Sequence, residues 1–149
     1  MIGKLLKWML GTLGLSVLGI VLLGVWAAWI YRDQPAAEVE ARWADDRSRF
    51  VEIDGVRLHY RDEGEGPVVI LLHANYSSLF MWEPWVSALK DGYRVIRVDL
   101  PAHGLTGPEP QGNYTLDRIQ YLIESFIDSR GLDRVTLAGT SIGGTVAMR

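Results

Sequence analysis

Gly139-Thr140-Ser141-Ile142-Gly143 sets a serine between two glycines, each two residues away. Residues without bulk at those positions let the chain turn sharply from a strand into a helix and push the hydroxyl out at the bend, where it can attack a carbonyl carbon. The helix that follows begins beneath Ser141. Its positive N-terminal end, and the backbone N–H of Ile142 in particular, then face the oxygen on which negative charge develops. The chemistry this spacing predicts is nucleophilic acyl transfer with Ser141 attacking. Five residues alone are a weak signal, because small residues cluster in any glycine-rich loop. The signal is strengthened by context, since the motif follows a predicted strand and opens a helix.

Other chemistries find little support. There is no cysteine in the 149 residues, which excludes disulfides, thiolate metal sites and a cysteine nucleophile within this chain. The histidines, at 59, 73 and 103, lack the spacing of a metal site, and nothing in the sequence calls for a metal or a cofactor. The net charge of −3 and pI near 5.6 come from interspersed acids and bases. Without a basic surplus, nucleic acid is not an expected partner.

The elements needed to position Ser141 can be traced along the chain. Residues 1–7 form a short basic N-terminus with Lys4 and Lys7. Residues 8–30 carry no charge and are apolar on every side, and at about 1.5 Å per residue they would reach roughly 34 Å, enough to cross a bilayer core. Trp26, Trp29 and Tyr31 at the far end suit a membrane–water boundary. The reading is a signal anchor that makes the lipid bilayer a partner. A cleaved signal peptide, with Val25-Trp26-Ala27 as a loose small-x-small site, is the competing reading, disfavoured because the apolar run exceeds a signal core. Arg32, Arg42, Arg47 and Arg49 outnumber the two lysines, so counting basic residues does not by itself orient the segment. A short basic N-terminus before a first helix nonetheless resembles a signal anchor, which puts the rest of a single-pass membrane protein on the extracytoplasmic side.

Residues 31–49 are polar, mixed in charge and broken by Pro35, and read as a tether with room for one helical turn. A folded domain over 50–149 follows. Phe50–Ile53 and Val56–Tyr60 alternate around Asp54-Gly55, a hairpin signal. Val68–Leu72 is a continuous aliphatic run, as in a strand buried on both faces. Met81–Lys90 has helical spacing, Tyr93–Asp99 reads as a strand, and 101–112 as a long loop. Thr115 is a plausible N-cap for a helix ending at Gly131, and Arg134–Ala138 is a strand running into the serine turn. Alternating strands and helices predict a parallel right-handed sheet behind an antiparallel hairpin.

From Phe50 onward the chain resembles the serine-hydrolase branch of the α/β-hydrolase superfamily. The resemblance rests on several pieces in order: the Ile53-Asp54-Gly55-Val56 hairpin with His59-Tyr60, Leu71-Leu72-His73, Trp82-Glu83-Pro84-Trp85, Asp99-Leu100-Pro101, His103-Gly104-Leu105-Thr106-Gly107-Pro108, and the serine turn as nucleophile elbow. It implies an α/β-hydrolase fold whose N-terminal half is present, ending just after the elbow. It also implies a second oxyanion donor from the loop after the third strand, which by position is the backbone of Asn75. Ala74 and Ala102 stand where the family usually has glycine. Asn75 further resembles the His-Gly-Asn loop of haloalkane dehalogenases, but those enzymes, like the related epoxide hydrolases, carry aspartate at the elbow, so Ser141 argues against both chemistries.

In the family the triad runs serine, acid, histidine, whereas all three histidines here precede Ser141. His73 and His103 match loop histidines that look structural, His59 is expected exposed on an edge hairpin, and Asp99 is expected to organise a loop. The expected activity is a membrane-anchored serine hydrolase cleaving an ester or related acyl bond of a small-molecule substrate. This stretch alone is expected to be inactive, with its acid, base and lid beyond residue 149. The alternatives are a non-catalytic, hydrolase-like membrane module that binds a ligand or partner, and a carbon–carbon bond hydrolase or haloperoxidase-like member of the same fold.

Overall fold

The computed structural model describes residues 2–149 and divides into two compact units, one ending at Pro35 and one running from Ala36 to Arg149. The first unit is one helix, α1 (Ile2–Ile30). Its segment Lys7–Ile30, 24 residues of mean hydropathy 2.2, is long and apolar enough to cross a membrane, a property that signal sequences share.

The second unit begins with α2 (Ala36–Trp43), followed by the hairpin β1 (Arg49–Ile53) and β2 (Val56–Glu63). Asp54 and Gly55 both adopt positive φ, 46° and 81°, as a two-residue hairpin turn demands. β3 (Val68–Leu72) leads through a 3₁₀ turn (Leu79–Trp82) into α3 (Glu83–Leu89), and β4 (Arg94–Val98) follows. α4 (Leu116–Ser129) is capped by Thr115, whose hydroxyl accepts from Arg118 N–H, and ends before Gly131 at φ 63°. β5 (Val135–Gly139) and α5 (Ile142–Ala147) complete the unit.

The sheet order is β1-β2-β4-β3-β5. The hairpin and the β2–β4 pair are antiparallel, and β3 pairs in parallel with β4 and β5. The aliphatic run of β3 is explained by burial on two sides. Ile70 and Leu72, with Ile96 and Val98 of β4, pack in one core with Ile119, Leu122, Ile123 and Phe126 of α4, while Leu71 and Val95 pack in a second with Trp82 and Val86.

Two expectations are corrected. Residues 36–49, read as part of a tether, fold with the domain. Glu40 pairs with Arg57 and Asp45 with Arg61, and α2 runs for two turns rather than one. His59, expected to be exposed, is fully buried, because β2 is flanked by β1 on one side and β4 on the other and lies inside the sheet.

Candidate active site

Ser141 stands between β5 and α5 with φ 53° and ψ −122°, and it is exposed. A non-glycine residue in this region stores of order 1–3 kcal/mol of strain, and such strain is found where a group must be held out at a functional site. The backbone carbonyl of Ser141 accepts from Thr145 N–H (2.9 Å) and Thr145 Oγ1 (3.2 Å), which ties the bend into the first turn of α5.

The glycine spacing has a direct steric cause. A Cβ on Gly139 would run into the backbone of Gly143, and a Cβ on Gly143 would run into Leu72 O and, at 2.6 Å, His73 O. The elbow therefore lies flat against itself and against the end of β3. A further bond, from Thr140 N–H to Leu72 O at 3.2 Å, seals that contact.

The loop leaving β3 is tied to the loop leaving β4 by two imidazoles. His73 Nε2 accepts from Leu100 N–H (2.9 Å), so its proton is on Nδ1, which donates to Ala74 O (2.7 Å). Burial holds the pKa of His73 below the usual histidine value, in spite of the Ala74 carbonyl and the Asp99 charge acting the other way. His103 donates through Nδ1 to Pro101 O (2.9 Å) and meets the Asn75 side-chain amide through Nε2 (2.9 Å). The two rings stand 5.2 Å apart.

Ala74, one of the two alanines in place of glycine, has no positive φ, so its methyl group is accommodated. Ala102, the other, adopts φ 60°. Beneath these loops Asp99, fully buried, accepts from Leu79 N–H (2.7 Å), Leu105 N–H (2.9 Å) and His59 Nδ1 (2.7 Å). Gly104 (φ 54°) lies so close that a Cβ there would strike the Asp99 carboxylate. Asp99 thus organises its loop.

The structure brings Asn75 and Ile142 to one cavity of about 420 Å³, which His103, Tyr114 and Ile119 also line. Ser141 lines a neighbouring depression of about 370 Å³ with Leu137, Gly139, Gly144 and Thr145. Among the described residues no imidazole is bonded to Ser141, since all six histidine ring nitrogens are engaged elsewhere. Among the described residues there is also no cluster of three or more histidine, aspartate or glutamate side chains that could hold a metal ion.

A second buried network escaped sequence reading. Arg61 and Arg97 face one another across β2 and β4 and are fully buried. Arg97 pairs with Glu63 and with Glu83 (2.6 Å), and Arg61 pairs with Asp45 (2.9 Å) and lies 4.6 Å over the Phe80 ring. Their partners lie up to 34 residues away in sequence, and the alternating pattern of a strand carries no sign of them. The network fixes α3 and the segment before β1 to the sheet, on the side opposite α4.

A family model described as the alpha/beta hydrolase fold matches residues 67–149. The chain is 35% identical over 109 residues to haloalkane dehalogenase 2 of Mycobacterium tuberculosis, an alignment covering 73% of this chain and 36% of the relative. It is 35% identical over 104 residues to 2-hydroxy-6-oxo-6-(2'-aminophenyl)hexa-2,4-dienoic acid hydrolase of Metapseudomonas resinovorans, covering 67% and 36%. Among solved structures, an epoxide hydrolase of Vigna radiata superimposes with a TM-score of 0.63 at 36% identity, covering 66% of this chain and 33% of that one. The chain spans about a third of the length of the relatives it matches.

Proposed function

The chain belongs to the alpha/beta hydrolase family, and from that premise we propose that it is the part of a membrane-anchored serine hydrolase that carries the nucleophile and the oxyanion donors. The observation that carries this reading is Ser141 itself: an exposed hydroxyl on a residue held at φ 53° by two glycines that admit no side chain. In the proposed reaction Ser141 Oγ attacks an acyl carbonyl. The oxyanion takes N–H donors from Ile142, a first-turn residue of α5 whose N–H has no partner in its own helix, and from Asn75, across the same cavity. The acyl-enzyme is then released by water.

The relatives' names span dehalogenation, epoxide opening and cleavage of a dienoic acid. Serine at the elbow, in place of the aspartate those first two chemistries use, favours acyl transfer or carbon–carbon bond hydrolysis over either. A base must remove the serine proton, and the three histidines of this chain are committed elsewhere, so turnover belongs to a longer protein that supplies one. The test is to express the chain with its downstream coding sequence and treat it with a fluorophosphonate. Label on the Ser141 peptide, lost in Ser141→Ala, is the expected result; its absence from a folded, complete protein would overturn the assignment.

The anchor rests on the length and hydropathy of α1. Carbonate extraction should leave the tagged chain in the membrane pellet. Release of the intact chain, or a mature product beginning near Ala28, would refute it.

A further inference from the structure

The imidazole of His59 serves a different hydroxyl. Ser48 Oγ lies 3.0 Å from His59 Nε2, and His59 Nδ1 lies 2.7 Å from Asp99 Oδ2. A carboxylate accepts, so Nδ1 carries a ring proton, and in the neutral tautomer Nε2 is then the acceptor to which the Ser48 hydroxyl donates. This is the proton wiring of a nucleophilic serine: a hydroxyl, a base able to take its proton, and an acid that fixes the base's tautomer and would stabilise the imidazolium.

The arrangement is held rigidly. His59 N–H donates to Thr106 Oγ1 (2.8 Å), which in turn donates to Asp99 O (2.7 Å), and the Phe50 ring lies 5.0 Å from the imidazole. Base and acid are fully buried, where water does not weaken their interaction, whereas Ser48 retains part of its exposure in the segment before β1. Asp45 N–H also points at Ser48 Oγ, at 3.3 Å, and would favour negative charge growing on that oxygen.

We propose that Ser48 is a second, base-activated nucleophile that accepts the acyl or phosphonyl group of small reactive esters and organophosphorus compounds. With a fluorophosphonate, Ser48 Oγ forms a bond to phosphorus and the P–F bond breaks to release fluoride. The serine proton moves to His59 Nε2, with Asp99 balancing the charge. The product is one stable phosphonate ester per chain. The proposal is independent of the role of Ser141, and peptide mapping separates the two.

The test treats the full chain, in detergent micelles, with a biotinylated fluorophosphonate and locates the label by mass spectrometry. Label on the Ser48 peptide is expected, reduced at least tenfold in His59→Gln and in the heat-unfolded chain. No label on that peptide, or label undiminished in both controls, would overturn the proposal. Because His59→Gln can also disturb folding, a second comparison uses Ser48→Cys against Ser87→Cys, both treated with iodoacetamide at neutral pH. The Ser48→Cys thiol, less exposed but beside His59, is expected to alkylate at least tenfold faster; an equal or slower rate would refute the activation.

Discussion

His59 donates to Asp99 across 2.7 Å with neither side chain exposed to solvent, and that contact joins the centre of β2 to the loop leaving β4. Asp99 Oδ2 also receives Leu105 N–H while Oδ1 receives Leu79 N–H, so three donors converge on one carboxylate. Asparagine in its place has one oxygen for two sets of donors, and its NH₂ group would face N–H groups. Asp99→Asn is therefore expected to destabilise the chain by about 2–4 kcal/mol. Urea unfolding followed by far-UV circular dichroism measures this; a loss under 1 kcal/mol would show that the loops hold without Asp99.

The elbow glycines make a sharper comparison. A Cβ on Gly143 meets two backbone carbonyls at the end of β3, whereas one on Gly144 meets Gly139 O at 3.1 Å, a contact that a small shift relieves. Gly144 also lies within α5, where alanine gains about 1 kcal/mol of helix propensity. Gly143→Ala is expected to cost more than about 3 kcal/mol and Gly144→Ala less than about 1 kcal/mol. Equal effects in urea titrations of the two variants would remove the steric account of the spacing.

How much of this could be read from the residues depended on the range of the cause. The β3 run, the Asp54-Gly55 turn and the face of α4 follow from local periodicity, and the elbow follows from two glycines flanking a serine. The burial of His59 does not, because it depends on β4 pairing with β2 some forty residues on. The docking of Asp45 and Glu40 depends on Arg61 and Arg57, and a mixed-charge stretch looks the same whether its partners are water or distant arginines. Whether an alanine can stand in for glycine at 74 and 102 turns on dihedral angles, and only backbone geometry separates the two.

That geometry makes Ala102 a local weakness. An L-residue in the left-handed region costs about 1–2 kcal/mol, and glycine there loses part of that advantage through its freer unfolded chain. At φ 60°, Ala102→Gly should raise stability by about 0.5–1 kcal/mol. A lower urea midpoint in the variant would mean that the methyl group makes compensating contacts in the cavity it lines.

His73 gives the fold a pH dependence of defined sign. Its pKa in the folded chain lies below the ordinary value of 6.5, chiefly through burial, so the unfolded chain binds its proton more readily. The stabilisation is complete above about pH 6.5 and is lost as pH falls below it, with a slope of at most about 1.4 kcal/mol per pH unit for one proton. Glu83, held low chiefly by its hydrogen bond from Arg97, and Glu109, held low chiefly by Asn113 N–H, act in the same direction only below their ordinary 4.5. Between about pH 6.5 and 4.5 those two carboxylates contribute little. In His73→Gln the side-chain oxygen can still accept Leu100 N–H but does not titrate, so urea stability should fall less steeply with acidification than in the unaltered chain. Parallel slopes in the two proteins would mean that His73 is protonated in the folded chain without loss, and that Leu100 N–H does not depend on its ring nitrogen.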